Sequence, residues 1–129
     1  MLSDTAQRRV GWGMSVLLAL FMIGASAMPK LLHLAMVDQI MAGLGYPEAP
    51  ILLIGVMEVG FVLLFLFPPT AVLGGILMMG LLGGALVTNL RADQPMFSTT
   101  LFGVYLGIWM WVALWLRDPA FRAVFPFKR

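Results

Sequence analysis

Glu58 is the residue whose type and position call for chemistry. It is the only charged residue in the apolar run 51–67. A carboxylate near the middle of a bilayer costs about 2.5–3.5 kcal/mol on insertion scales, so such a group faces a bundle interior or wet cavity and has a partner. A carboxyl group held there can also donate or accept a proton, the work of a general acid or base. Depth narrows the search for its companions. At ~1.5 Å per helical residue, Glu58 lies about 10 Å inside the start of its run. Lys30, at the end of the preceding apolar run, falls on the same side. So do Thr88, Asn89 and Arg91 at the end of the third run, and Tyr105 and Trp109 near the start of the fourth. Met57 and Phe61 flank Glu58 on its own helix.

Together these residues predict a polar site in one half of the membrane. Glu58 would be its acid or base and Lys30 the counter-charge. Asn89, Arg91, Tyr105, Trp109, Met57, Phe61 and Thr88 would line a small-molecule pocket, which typically combines apolar walls with a few polar groups. Each residue also has a plainer reading. A lysine at a span end usually snorkels to the headgroups, and Arg91 could do the same. Tryptophans at span ends usually anchor at the interface. Glu58 itself could simply hold helices in register, and His33 reads as an interfacial residue rather than a ligand.

The composition says what must position these residues. Of 129 residues, 61% are apolar and 11% charged, against about 25% charged in soluble domains. With a mean hydropathy of +0.98, this excludes a soluble enzyme, a disordered tail and a nucleic-acid module. The net charge of +2 comes from few, scattered basic residues, so no nucleic-acid partner is expected. The absence of cysteine removes disulfides and thiol-ligated clusters. A single histidine removes a bis-histidine haem within one chain. No metal site and no intrinsic cofactor are expected; a quinone or a lipid is the bound molecule that fits.

A spanning helix needs about 20 mostly apolar residues. Four runs qualify: 10–28, 51–67, 71–90 and 100–116. Residues 51–67 and 100–116 are short and are expected to extend at their ends. Arg8-Arg9, an apolar stretch and Ala25-Ser26-Ala27 have the look of a secretory signal, but the apolar run is longer than usual, and an uncleaved span is expected. Residues 31–44 place Leu31, Leu34, Met36, Val37, Ile40, Met41 and Leu44 at a three-to-four spacing, with His33, Asp38 and Gln39 between. That is an amphipathic helix lying in the interface or over the bundle. Pro68-Pro69-Thr70 is a tight turn that makes its flanking spans antiparallel neighbours. The expected fold is an all-α membrane protein: a four-transmembrane-helix bundle, residues 1–129 in a single domain, with an amphipathic cap helix between spans one and two.

Arg8, Arg9, Arg117, Arg122, Lys128 and Arg129 lie on one side of such a bundle, Lys30 and Arg91 on the other. Basic residues favour the cytoplasm. Both termini are therefore expected in the cytoplasm, with the multi-pass chain in a bacterial inner (plasma) membrane. Trp12, Trp111 and Trp115 then form a cytoplasmic aromatic belt. Gly80-x-x-x-Gly84 and Gly103-x-x-x-Gly107 are close-packing motifs. They are expected to join spans three and four, with a homo-oligomer contact as the alternative.

Several segments in order carry a resemblance: Lys30 after Gly24 and Ser26; Leu44-Gly45-Tyr46-Pro47; Gly55-Val56-Met57-Glu58; Pro68-Pro69; Gly83-Gly84-Ala85 with Asn89-Leu90-Arg91; Trp111; and Arg117-Asp118-Pro119. From about Gly11 to Pro126 the chain resembles the DoxX-like family of small bacterial four-helix membrane proteins. The resemblance implies an inward-facing lysine at the end of span one and a glutamate in span two. Family members often carry histidine where this chain has Asn89, so imidazole chemistry on span three is not implied here. The family name implies an association with quinol- and thiosulfate-oxidising membrane systems. The bundle is also similar to sterol-isomerase and sigma-2-receptor-like proteins, although fold alone does not fix function.

Three functions compete. The first is a binding protein for an amphipathic or hydrophobic molecule, quinone- or lipid-like, acting as an accessory subunit of a membrane redox system. The second is a membrane isomerase or cyclase using Glu58. The third is a structural or assembly subunit. The expected partners are membrane lipid, a hydrophobic small molecule, and other membrane subunits or further copies of the chain.

Overall fold

The computed structural model describes residues 3–128. They form six helices and, among the described residues, no strand. The helices are α1 (Asp4–Leu31), α2 (Ala35–Gly43), α3 (Ile51–Leu66), α4 (Pro68–Arg91), α5 (Met96–Arg117) and α6 (Pro119–Val124). By length and composition α1, α4 and α5 can each cross a membrane, whereas α3 is apolar but shorter. Arg129, one of the basic residues that set the expected orientation, lies outside the described residues.

The helix ends follow local chemistry. Ser3 caps α1, its hydroxyl accepting from the Ala6 N–H at 3.2 Å, so the helix starts before the apolar run does. At its far end α1 continues past 28, through Pro29 and Lys30 to Leu31. Proline lacks the N–H that would close the preceding turn and crowds its carbonyl. The helix responds by widening into a π stretch over Met22–Ala27. The amphipathic helix is consequently shorter than 31–44: Leu31 belongs to α1, His33 turns the corner with φ 51°, and α2 begins at Ala35. Gly45 (φ 77°) closes α2 in the left-handed conformation that glycine adopts without strain. Residues 100–116 extend at both ends, as α5. Residues 51–67 do not extend: Pro50 and Pro68 bracket α3, whose 16 residues rise ~24 Å.

Consecutive long helices run antiparallel. α1 packs along α5, α5 along α4, α4 along α3, and α3 against the last turns of α1, which closes the ring. The shared core contains Leu18, Ala19 and Met22 from α1, Val62 and Phe65 from α3, Met78 from α4, and Met110, Ala113 and Leu114 from α5. Two glycines bring backbones into contact. A Cβ at Gly11 would meet the Arg117 nitrogen at 2.6 Å and the Ala113 carbonyl at 2.7 Å. A Cβ at Gly74 would meet the Phe61 carbonyl at 2.7 Å. Such close approach replaces the water-driven packing that lipid cannot supply.

The expected G-x-x-x-G pairing is half corrected. Gly103 and Gly107 do face α4, against Leu82 and Met79. Gly80 and Gly84 face away, and a Cβ on either would meet nothing within 4 Å. The motif gives the spacing of small residues but not which neighbour they face. The aromatic belt is corrected too. Trp111 turns inward, with ring centroids 5.4 Å from both Phe121 and Phe125. Large apolar side chains such as Leu17, Leu20, Leu52, Val56, Leu63, Ile76 and Ile108 remain exposed around the bundle. No monomer in water would show so much apolar surface.

Candidate functional site

The π stretch sets the direction in which the end of α1 points. It widens the helix just before Pro29, and the succeeding turn presents Lys30 to α3. Gly55 makes room on the other side: a Cβ there would stand 3.2 Å from Lys30 Cβ and from Leu31. One turn further along α3, Glu58 meets the ammonium. Lys30 Nζ is 2.8 Å from Glu58 Oε1, with side-chain exposures of 13% and 8%. The same ammonium donates to the Ser26 carbonyl and to Ser26 Oγ, both at 3.0 Å. An ammonium has three protons to give, and here each has an acceptor. Glu58 Oε2 is different: it is buried and has no hydrogen-bond partner. A buried carboxylate oxygen left unmatched is costly. It is also the one atom of the cluster free to accept a bond from something else.

The other expected site residues do not gather around this pair. Tyr105 donates its hydroxyl to the Phe97 carbonyl at 2.8 Å, and Trp109 its indole N–H to the Met14 carbonyl at 2.9 Å. Both line a groove of about 310 Å³ between α1 and α5, with Leu17, Leu18, Phe21, Phe102 and Leu106. Glu58 and Lys30 are not part of that lining. Thr88 and Asn89 bond back to their own helix, at the Gly84 and Ala85 carbonyls, each at 2.8 Å. Arg91 reaches the Gly45 carbonyl at 3.5 Å and so bridges the end of α4 to the end of α2. Met57 and Phe61 are half-buried, Phe61 against the core. His33 pairs with Asp38 at 3.3 Å on the exposed corner.

Depth along a span, the basis for grouping these residues, is blind to direction around the helix. Tyr105 and Glu58 face different neighbours, so an ion pair lies on one flank of α1 and an apolar groove on the other.

Two features are not apparent from sequence. Ser26 is visible there as part of a possible cleavage motif and of the family resemblance, but not as a partner of Lys30; its position four residues before Lys30 is the available signal. The second is Arg117. In the sequence it counts only toward orientation and the family resemblance, yet Arg117 is 5% exposed. Its guanidinium lies 4.2 Å from the Trp12 ring centroid and 4.5 Å from that of Phe65. Its Nη2 donates to the Phe65 carbonyl, and its Nη1 has no partner.

The sequence model of the DoxX-like family matches residues 13–113, a stretch that contains the ion pair, its serine and the groove. No curated protein and no solved structure matches the chain.

Proposed function

The chain belongs to the DoxX-like family of membrane proteins, and on that premise we propose that it binds an amphipathic molecule, quinone- or lipid-like, within the bilayer. The α1–α5 groove carries this reading. Its volume of about 310 Å³ is at the lower end of small-molecule sites. Its walls are almost wholly apolar, with the edges of Tyr105 and Trp109 among them. A flat ring or isoprenoid segment suits such walls, and an acyl chain can enter from the lipid side. In this reading all four long helices span the membrane, α3 by drawing the bilayer thinner around it. Both termini lie in the cytoplasm and α2 rests at the opposite interface of a bacterial inner membrane. The Lys30–Glu58 pair fixes the last turn of α1 against α3, and thereby the groove wall that α1 supplies. A protein of this kind serves a membrane redox system as an accessory subunit that holds its lipid-soluble carrier.

Photolabelling with a diazirine-bearing quinone tests the proposal. Label is expected on the segments holding Leu17, Phe21, Tyr105 and Trp109, and is expected to fall several-fold when Leu106→Trp fills the groove. Even labelling of every lipid-facing helix, unchanged by Leu106→Trp, would sink it.

One observation favours a second reading, a membrane isomerase or cyclase. Glu58 Oε2 is buried and uncommitted, which suits a general base. Turnover of a supplied ligand that disappears in Glu58→Gln, with binding retained, would favour this reading over simple binding.

A further inference from the structure

A second cavity lies at the opposite end of the bundle from Glu58. It holds about 220 Å³ between the first turns of α1 and the α5–α6 junction, and Asp4, Thr5, Arg8, Arg117, Pro119 and Arg122 line it. Three arginines and one aspartate therefore line one cleft. Among the described residues, no ion pair engages any of these arginines. Asp118, next in sequence, uses Oδ1 to cap α6, accepting from the Ala120 and Phe121 N–H groups at 3.0 and 3.3 Å.

The donors that remain are the informative part. Arg122 spends Nε and one N–H of Nη2 on the Trp115 and Leu116 carbonyls, both at 3.0 Å, which leaves Nη1 and the second N–H of Nη2. Arg8 is exposed and has no acceptor among the described residues. Arg117 is 5% exposed, and its buried Nη1 has no partner. A buried cation with an unmatched donor, beside a cleft that two further arginines line, favours an anion. Guanidinium forks match the oxygens of phosphate and carboxylate groups, and phosphate is the anion that a lipid headgroup supplies. The cleft sits where α1 begins and α5 ends, which in the topology proposed above is the level at which headgroups meet water.

We propose that this cleft binds the phosphate of an anionic phospholipid headgroup, held by Arg8, Arg117 and Arg122. Asp4 selects the source. Its carboxylate shares the cleft and opposes a second negative charge, so a singly charged phosphodiester is preferred to free phosphate dianion. The glycerol backbone and acyl chains then run along the apolar flank of α1 and α5.

The test uses the full chain in maltoside micelles, which contain no phosphate. Trp12 and Trp115 carry Arg117 and Arg122 on their ring faces, so intrinsic fluorescence reports the cleft. Titration with phosphatidylglycerol should give a saturable change, and diacylglycerol with the same chains should not. Arg8→Gln, at an exposed position that leaves the fold intact, should shift the midpoint about tenfold, the worth of one charge-assisted contact. Asp4→Asn should tighten binding. Equal responses to the two lipids, or an unshifted midpoint in Arg8→Gln, would overturn the proposal. The same change produced by millimolar inorganic phosphate alone would overturn the headgroup assignment and give the cleft to free phosphate.

Discussion

Lys30 and Arg117 are both basic side chains drawn into an apolar bundle, at opposite ends of α1, and the protein accommodates them by opposite means. Lys30 is a compact, strongly hydrated charge, and it receives a full set of oxygen acceptors: Glu58 Oε1, Ser26 Oγ and the Ser26 carbonyl. Arg117 has no carboxylate within ion-pair distance among the described residues. It lies between the Trp12 and Phe65 rings and bonds to the Phe65 carbonyl. A guanidinium is planar, delocalised and weakly hydrated, so aromatic faces can stand in for part of its hydration. An ammonium needs its oxygens. The lysine end is thus closed on the cation's side, with every ammonium proton matched although Glu58 Oε2 is not, and the arginine end is open, with Nη1 unmatched.

The sharpest way to break this contrast is to remove one member of the closed pair. Glu58→Leu leaves a buried ammonium without its counter-charge, and the expected loss is about 3–5 kcal/mol. The double variant Lys30→Met/Glu58→Leu removes both charges and should regain most of that loss, since well-packed apolar replacements of buried pairs are often neutral. Chemical unfolding in detergent, followed by circular dichroism, measures both. A double variant as unstable as Glu58→Leu would show that the pair is not closed in this sense.

The second test separates the helix crossings beneath the two cations. Gly11→Ala places a Cβ against backbone atoms of α5, at 2.6 and 2.7 Å, and backbone cannot step aside. Gly55→Ala meets Lys30 Cβ and Leu31 at 3.2 Å, where a few tenths of an ångström suffice. Overpacking typically costs about 1–3 kcal/mol, so Gly11→Ala should sit near the upper end and Gly55→Ala near the lower. Gly80→Ala, with open space around it, should be neutral or slightly stabilising in the same unfolding assay. Equal losses at Gly11 and Gly55 would mean that the two ends of α1 are equally yielding.

How much of this was legible depends on what each signal measures. The charge of Glu58 inside an apolar run is costly in any fold, so the sequence alone marked it and pointed to Lys30 at matching depth. Apolar runs also gave the number and order of the long helices. They did not give helix ends, because Ser3 and Pro29 set those by hydrogen bonding rather than hydropathy. Tyr105 and Trp109 were grouped with Glu58 by depth, which carries no angular information. The burial of Arg117 is not legible in the sequence because it depends on Trp12 and Phe65, contributed by two distant segments. Local spacing cannot show a contact made only when α1, α3 and α5 meet.

Arg117→Lys tests the open end directly. Lysine keeps the charge but loses the planar face that stacks on Trp12 and Phe65, together with one of the two Nη donors. The cost should be about 1–2 kcal/mol, the size of a desolvated cation–π contact. It should be accompanied by a change in tryptophan emission, since Trp12 loses its neighbour. The mirror substitution, Lys30→Arg, should fail for another reason: the fork is too wide for the Ser26 and Glu58 oxygens that surround a point charge. If lysine serves at 117 without loss, the rings are spectators and the contrast between the two ends fails.

The smallest expected effect falls within the closed end. Ser26→Ala deletes the Oγ acceptor but leaves the Ser26 carbonyl and Glu58 in place. One hydrogen bond to a charged group is lost from a set of three, for about 1 kcal/mol. Ser26→Thr should restore it, because threonine keeps the oxygen and its extra methyl enters a half-buried position. The comparison turns on which partner of Lys30 dominates. If Ser26→Ala costs nothing while Glu58→Leu costs several kcal/mol, the ammonium is held by charge alone. If Ser26→Ala also loosens the π stretch, seen as faster amide exchange over Met22–Ala27, the hydroxyl and the ion pair act as one unit. The second result is expected, because the carbonyl that Lys30 bonds belongs to that same stretch.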